Sequence, residues 1–191
     1  MTAPKPAYPV EIETLRLRLR EFATDDLDAL YGIVGDERIT HWLSFDTRSE
    51  KETSDMLTGV LERARLDDRV EYYLAVDAKD SGEMIGMVRL EVTSPGKARL
   101  GGAVALKAQR QRFALEAAHA ILTFGFEDLG LHRITAAIGP ENVASMTAAE
   151  MLGMQREGRL REHVFTNGAW RDSVLYSLLE SEWPSTHRQR H

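Results

Sequence analysis

The sequence predicts an α/β fold of the α+β kind: one domain on a mixed, mostly antiparallel sheet with helices packed against it. Three observations predict it. Period-two apolar runs follow one another across short turns, as in EYYLAVDAKDSGEMIGMVRLEVT around Asp80-Ser81-Gly82, and such sequential strands pair antiparallel. One stretch breaks the pattern: a strand from Arg99 to Leu106 passes through a turn into a helix and returns as LHRITAAIG, a crossover that creates a parallel neighbour. Near the end, Asn167-Gly168 is the pair that a two-residue hairpin turn favours.

Taken in order, residues 1–10 carry three prolines and are expected to form a flexible arm ahead of a single domain over residues 11–183, with residues 184–191 a polar, disordered tail. IETLRLRLREF alternates Leu15, Leu17 and Leu19 with Arg16, Arg18 and Arg20, the period of a half-buried strand whose arginines face solvent or an acidic neighbour. Thr24 is the expected cap of a first helix with Leu27, Leu30, Tyr31 and Val34 on one face. A second helix starts at Ser49, with Glu52 completing a capping box, and carries the stripe Met56, Leu57, Val60, Leu61, Ala64 to about Leu66. DERITHWLSFDTR between them reads as a loop. After the central strand, Phe113 opens a helix with Ala114, Ala117, Ala118, Ile121, Leu122 and Leu129 as its apolar stripe. Asn142 to Ser145 cap a further helix that Gly153 ends, and two strands flank Asn167-Gly168.

Composition excludes several function classes. A formal net charge of -6 gives no general attraction to polyanions, so DNA is not an expected partner. The absence of cysteine removes disulfides, a thiol nucleophile and thiolate metal sites. No apolar run reaches the roughly 18 residues of a membrane span, and MTAPKPAYPVEIE lacks the layout of a signal peptide, so the cytoplasm is the expected compartment and no membrane partner is expected. No His/Asp/Glu spacing suggests a metal and no G-x-S-x-G elbow occurs, while His119 and His132 read as packed or surface residues.

The organising stretch is GGAVALKAQRQRFALEAAHAILTFGFEDL, where a strand of small and branched residues runs through a basic turn into a helix. Amides at such a helix start bind anions, phosphates above all. With LGLHRITAAIGPENVAS and EMLGMQREGRLREHVFTNGAWRDSVLYSLL, this stretch resembles the GNAT superfamily of acyl-CoA N-acyltransferases, in particular its ribosomal-protein N-terminal acetyltransferase branch, over about residues 12 to 183. The resemblance implies helices on both faces of the sheet, acetyl-CoA or another acyl-CoA as co-substrate, and an amine acceptor: a protein N-terminus, an amino acid or a small molecule. It also leaves room for a homodimer.

What the resemblance implies for residues is specific. Backbone groups of Val104, Ala105 and Leu106 would hold the pantetheine arm, and the turn Gln109, Arg110, Gln111, Arg112, Phe113 and Ala114 the pyrophosphate. Arg110 and Arg112 stand where the branch most often has glycine. Arginine lacks the conformational freedom of glycine but offers a fork of donors to phosphate. With Lys107 they form a basic cluster, which fits CoA held by altered contacts or, alternatively, an acyl donor carried on a carrier protein or an aminoacyl-tRNA; a non-catalytic ligand-binding module is a third reading. Asn142 matches a donor-holding position and Ser145 a hydroxyl that protonates the leaving sulfur, and both types are also ordinary helix caps. Glu91, Glu162 and His163 are the nearest candidates for a base. Gly102 and Ala103 replace a bulky aromatic pair and predict extra room for acyl group or acceptor, unless Trp42, Phe45 or Trp170 fills it. Trp42, Phe45, Trp170 and His163 are the expected acceptor-side residues.

Overall fold

The computed structural model describes residues 6–184, so residues 1–5 of the expected arm and 185–191 of the expected tail lie outside the described residues. Its strands are β1 (Glu11–Glu13), β2 (Leu17–Glu21), β3 (Glu71–Ala78), β4 (Met84–Ser94), β5 (Lys97–Val104), β6 (Arg133–Ile138), β7 (Gln155–Thr166) and β8 (Ala169–Leu179). The helices are α1 (Leu27–Val34), α2 (Glu37–Thr40), α3 (Glu50–Ala64), α4 (Phe113–Thr123) and α5 (Val143–Met151). The strands form one eight-stranded sheet in the order β1-β2-β3-β4-β5-β6-β8-β7. Every neighbouring pair is antiparallel except β5 and β6, the two ends of the expected crossover.

Strand alternation divides the core in two. Leu17, Leu19, Tyr72, Leu74, Val88, Leu90 and Ile134 face Ala117, Ala120 and Ile121 of α4 and Ala149 of α5. Tyr73, Ala75, Met84 and Met87 face the opposite way, toward Leu30, Ile33 and Val34 of α1 and Leu57 and Val60 of α3. The sheet is thus flanked by helices on both faces.

The feature that positions the site is a failure of pairing. β5 and β6 are in register only over Lys97↔Arg133, Ala98↔Ile134 and Arg99↔Thr135. Beyond that, β5 stays paired to β4 as far as Gly86↔Val104 and β6 to β8 as far as Ile138↔Val174. Each strand follows its outer neighbour, and a wedge opens between them.

Local readings are corrected in several places. IETLRLRLREF is not one strand: β1 and β2 form a hairpin, and Leu15 lies on its turn, 90% exposed. Thr24 makes no side-chain cap. The carboxylate of Asp26 takes that work, accepting from the Ala23 amide at 2.7 Å and from Arg20. In α1, Ile33 faces inward while Tyr31 is exposed. The expected loop before α3 contains α2, capped by Asp36. The central strand ends at Val104 rather than Leu106, and α4 loosens into a π-type turn over Phe124–Asp128 that buries Phe124 and Phe126. Ala114 is exposed; Phe113, Ala117, Ala120 and Ile121 make the buried stripe. At the end of the described arm, Val10 is buried and donates its amide to Glu21 Oε1 at 3.2 Å.

Candidate active site

Beyond β5, Ala105 donates its amide to Ile85 O at 2.8 Å and the chain makes one tight turn, Leu106–Ala108. Then come two residues in the left-handed region, Arg110 at φ 64° and Arg112 at φ 63°. These are the two positions that ordinarily carry glycine in the resembled branch, and the backbone has kept the glycine conformation without the glycines. For a residue with a Cβ that conformation costs about 1–2 kcal/mol, so the surroundings must hold it.

Arg16 does much of the holding. One guanidinium nitrogen donates to Gln111 O at 3.1 Å, Nε donates to the Glu116 carboxylate at 2.7 Å, and the group lies 4.5 Å over the Phe113 ring. Glu116 also accepts from the Arg16 amide at 2.9 Å and the Thr14 hydroxyl at 2.6 Å. Burial opposes ionisation of Glu116, but the hydrogen bonds from Thr14 and Arg16 outweigh it and hold the carboxyl below its usual range. Glu116 donates its own amide to Arg112 O, the first closed bond of α4. Among the described residues, the amides of Phe113, Ala114 and Leu115 before it meet no backbone acceptor, which leaves donors for an anion. The side chains of Arg110 and Arg112 are exposed beside them. Lys107 leaves the expected cluster to pair with Glu83.

Next to the turn lies the wedge. Among the described residues, the β6-facing edge of β5 past Arg99 has no strand partner, so backbone groups approaching Val104 are open to a ligand. Gly102 does not make room there. A Cβ on it would sit 2.7 Å from Met87 O and 3.3 Å from Val88 Cα, so its small size serves the close approach of β4 and β5. The open position is Gly101, where a Cβ would meet nothing within 4 Å, and it shares a face with Ala103, which packs toward the α1 side.

That face is the one the resemblance assigns to the acceptor. Its roof is the segment from His41 to Ser49, between α2 and α3. Arg171 donates to the carbonyls of His41 and Leu43, and the Asn167 amide donates to Asp46 Oδ1 at 2.7 Å, so the β7–β8 hairpin clamps this segment. Phe45 packs on the second core with Arg48 stacked over it at 4.9 Å, and Trp42 is 43% exposed, edge-on to His41. Trp170 precedes Arg171 and therefore points to the other face, where it pairs with Phe165 at 5.3 Å. It does not line the acceptor side. Three buried side-chain atoms without a partner among the described residues, Arg48 Nε, Thr166 Oγ1 and Arg171 Nε, belong to the clamped segments.

The acid and base candidates separate. Glu91 lies opposite Arg99 at the closed end of the wedge, 2.6 Å from its guanidinium and 3.2 Å from that of Arg89. Burial opposes its ionisation, but the Arg99 hydrogen bond and both arginine charges prevail and hold it low, so it is a strut. Glu162 sits in a bulge of β7 at φ 49°, its amide bonded to Asp172 Oδ1 at 2.8 Å. His163 Nδ1 lies 3.0 Å from Ser173 Oγ, on the acceptor face. Asn142 caps α5 by accepting the Ser145 amide at 3.1 Å, and the Ser145 hydroxyl has no hydrogen-bond partner among the described residues. Sequence reasoning missed the Arg16–Glu116 brace and the Arg171 clamp, because each joins segments about a hundred residues or more apart.

Comparison with known proteins agrees with this geometry. Residues 16–155 match the family model described as acetyltransferase (GNAT) domain. The chain is 29% identical to the uncharacterized N-acetyltransferase YnaD of Bacillus subtilis over 175 residues, 91% of this chain and 99% of that protein. It is 28% identical to the ribosomal protein uS5-alanine N-acetyltransferase of Escherichia coli over 115 residues, 59% of each chain. The fold matches that of Mycobacterium smegmatis RimJ in complex with CoA-disulfide, with a TM-score of 0.83, 23% identity and coverage of 95% and 92%. It also matches spermidine N-acetyltransferase from Vibrio cholerae in complex with CoA and spermine, with a TM-score of 0.77, 23% identity and coverage of 88% and 98%.

Proposed function

The chain belongs to the GNAT acetyltransferase family, and from that premise we propose that it transfers an acetyl group from acetyl-CoA to a protein or peptide N-terminus by direct attack of the amine on the thioester. The observation that carries this reading is the turn from Gln109 to Ala114, which holds left-handed arginines at glycine positions and presents unengaged amides at the mouth of an open wedge. A conformation that arginine does not favour is kept where a pyrophosphate would need it. The protein acceptor is supported by the name of the uS5-alanine relative.

In this reading the amides at the start of α4, with Arg110 and Arg112, bind the diphosphate, and the unpaired edge of β5 aligns the pantetheine arm. Ser145 supplies a proton to the departing sulfur, and the acceptor enters on the Gly101 and Ala103 face. Replacing Ser145 with Ala then lowers kcat by about 100-fold or more with CoA affinity unchanged, as for a group that acts on a proton in the transition state. Asn142→Ala instead lowers stability by about 0.5–2 kcal/mol, as loss of a helix cap does.

Titration with CoA, followed by thiol-release assays with acetyl-CoA and peptides beginning with Ala or Ser or with spermidine, tests the reading. Binding of CoA and turnover of the peptides are expected. No binding of CoA, with turnover of a loaded carrier protein or an aminoacyl-tRNA, would overturn the donor. Turnover of spermidine alone would overturn the acceptor.

A further inference from the structure

An amine reaches neutral pH as an ammonium and must lose a proton before its nitrogen can attack a carbonyl. Neither carboxylate considered above serves well. Glu91 is held between Arg89 and Arg99 at the closed end of the wedge. Glu162 adjoins Asp172, which lies on the opposite face of β8 from Ser173 and pairs with Arg159.

The register of the last two strands singles out a different group. Leu160 pairs with Ser173, and the next pair is Val164 with Arg171, so four steps along β7 match two along β8. A bulge of this kind re-aims a side chain. Here it brings His163 Nδ1 to 3.0 Å from Ser173 Oγ, while Ser173 is 4% exposed and His163 itself is exposed. Ser173 adjoins Val174, the partner of Ile138 at the end of β6, so the ring stands on β7 level with the open end of the wedge, with β8 between it and β6. His41, the other histidine on this side, stacks edge-on against Trp42 with no hydrogen bond fixing its ring among the described residues.

We propose that His163 is the proton acceptor for the incoming ammonium, with Ser173 as the positioning residue. This rests on the acetyl-transfer reading and deepens it. Nδ1–H donates to Ser173 Oγ, which leaves the Nε2 lone pair for the substrate. Nε2 takes one proton from the ammonium, and the nitrogen forms its bond to the thioester carbon as the C–S bond breaks. The nitrogen loses its second proton as the amide forms, and that proton replaces the one that Ser145 gives to the departing sulfur. The proton on His163 returns to solvent. Arg171 lies two residues from Ser173 on the same face, and Arg161 and Glu162 are the chain neighbours of His163 in the bulge.

The test uses the full chain, acetyl-CoA and a peptide beginning with Ala or Ser. His163→Gln is expected to lower kcat by about 100-fold or more, the range for loss of a general base, and to remove the histidine's share of the acidic limb of the kcat/KM profile, leaving the amine's own titration, while CoA affinity stays within about twofold. Added imidazole should restore part of the activity of His163→Ala. Ser173→Ala should lose about tenfold in kcat and keep the acidic limb, since it frees the ring without removing it. A wild-type chain that turns over the peptide while His163→Gln retains its kcat overturns this inference alone. A wild-type chain that neither binds CoA nor turns over a peptide overturns the acetyl-transfer reading and this inference with it.

Discussion

The donor turn and the acceptor-side hairpin both keep non-glycine residues in the left-handed region, and they do so for opposite reasons. Asn167 at φ 52° and Gly168 at φ 71° are residue types that enter this region readily, and their turn closes a regular hairpin. Arg110 and Arg112 are not such types. Their conformation is imposed by Arg16, Glu116 and the buried Phe113. A site that binds through backbone amides tolerates almost any side chain if the backbone is held, whereas one built from side-chain clamps is as specific as its clamps. In the proposed reading, the difference teaches that the donor end is set by conformation and the acceptor end by residue identity.

The strongest way to break that contrast is at Arg171, whose guanidinium joins β8 to the carbonyls of His41 and Leu43. Losing two charge-assisted hydrogen bonds costs about 3–6 kcal/mol of stability at about 1.5–3 kcal/mol each. The clamped segments already carry three buried atoms without partners among the described residues, so they have little stability to spare. Arg171→Ala is expected to lower the melting temperature and raise the acceptor KM by about tenfold with CoA affinity unchanged, a pattern of lost acceptor binding. Equal damage to CoA binding would show that the two ends are one cooperative unit.

A smaller effect sharpens the other half. Substituting glycine for both Arg110 and Arg112 removes the left-handed penalty and is expected to raise stability by about 1–2 kcal/mol, net of the entropy glycine returns to the unfolded chain. If the arginine forks also contact phosphate, CoA affinity falls by about 1–2 kcal/mol in the same variant. Calorimetry and CoA titration separate the terms. Higher stability with unchanged affinity would leave the backbone amides as the whole of the donor site.

This asymmetry matches what was legible in the sequence. Features carried by neighbours in the chain were readable: the Ser49–Glu52 capping box, the Asn167-Gly168 turn and the strand–turn–helix entry at Phe113 all stand as expected. Features that depend on register or on distant segments were not. Gly102 and Ala103 looked like a hollow from their types alone, but only the β4–β5 register shows that Gly102 abuts the Met87 carbonyl and that Gly101 is the open position. The arginines of IETLRLRLREF looked equivalent. Arg16 lies on a hairpin turn and braces the donor site, while Arg20 binds both Asp26 and Asp77 in the sheet.

The least perturbing test acts on the brace through pH. Glu116 is held below its ordinary pKa of 4.5, because the hydrogen bonds from Thr14 and Arg16 outweigh the burial that opposes ionisation. A carboxyl with a depressed folded pKa contributes stability that is fully present above its unfolded pKa and disappears as the pH falls through the folded value. Glu116→Gln should therefore be less stable than the wild type at neutral pH, and the gap should close as the pH drops below the usual carboxylate range. Its effect on CoA decides between two roles. If Glu116 acts mainly by holding Arg16 against the Gln111 carbonyl, the variant loosens the turn and binds CoA more weakly at neutral pH. If it acts mainly as a negative charge near phosphate, the variant binds more tightly, and added salt weakens the gain, since charge interactions through solvent are screened over about 10 Å at 0.1 M ionic strength. Weaker binding that salt does not restore is the expected result, and it would place the donor site's dependence on conformation in a single hydrogen-bonded carboxylate.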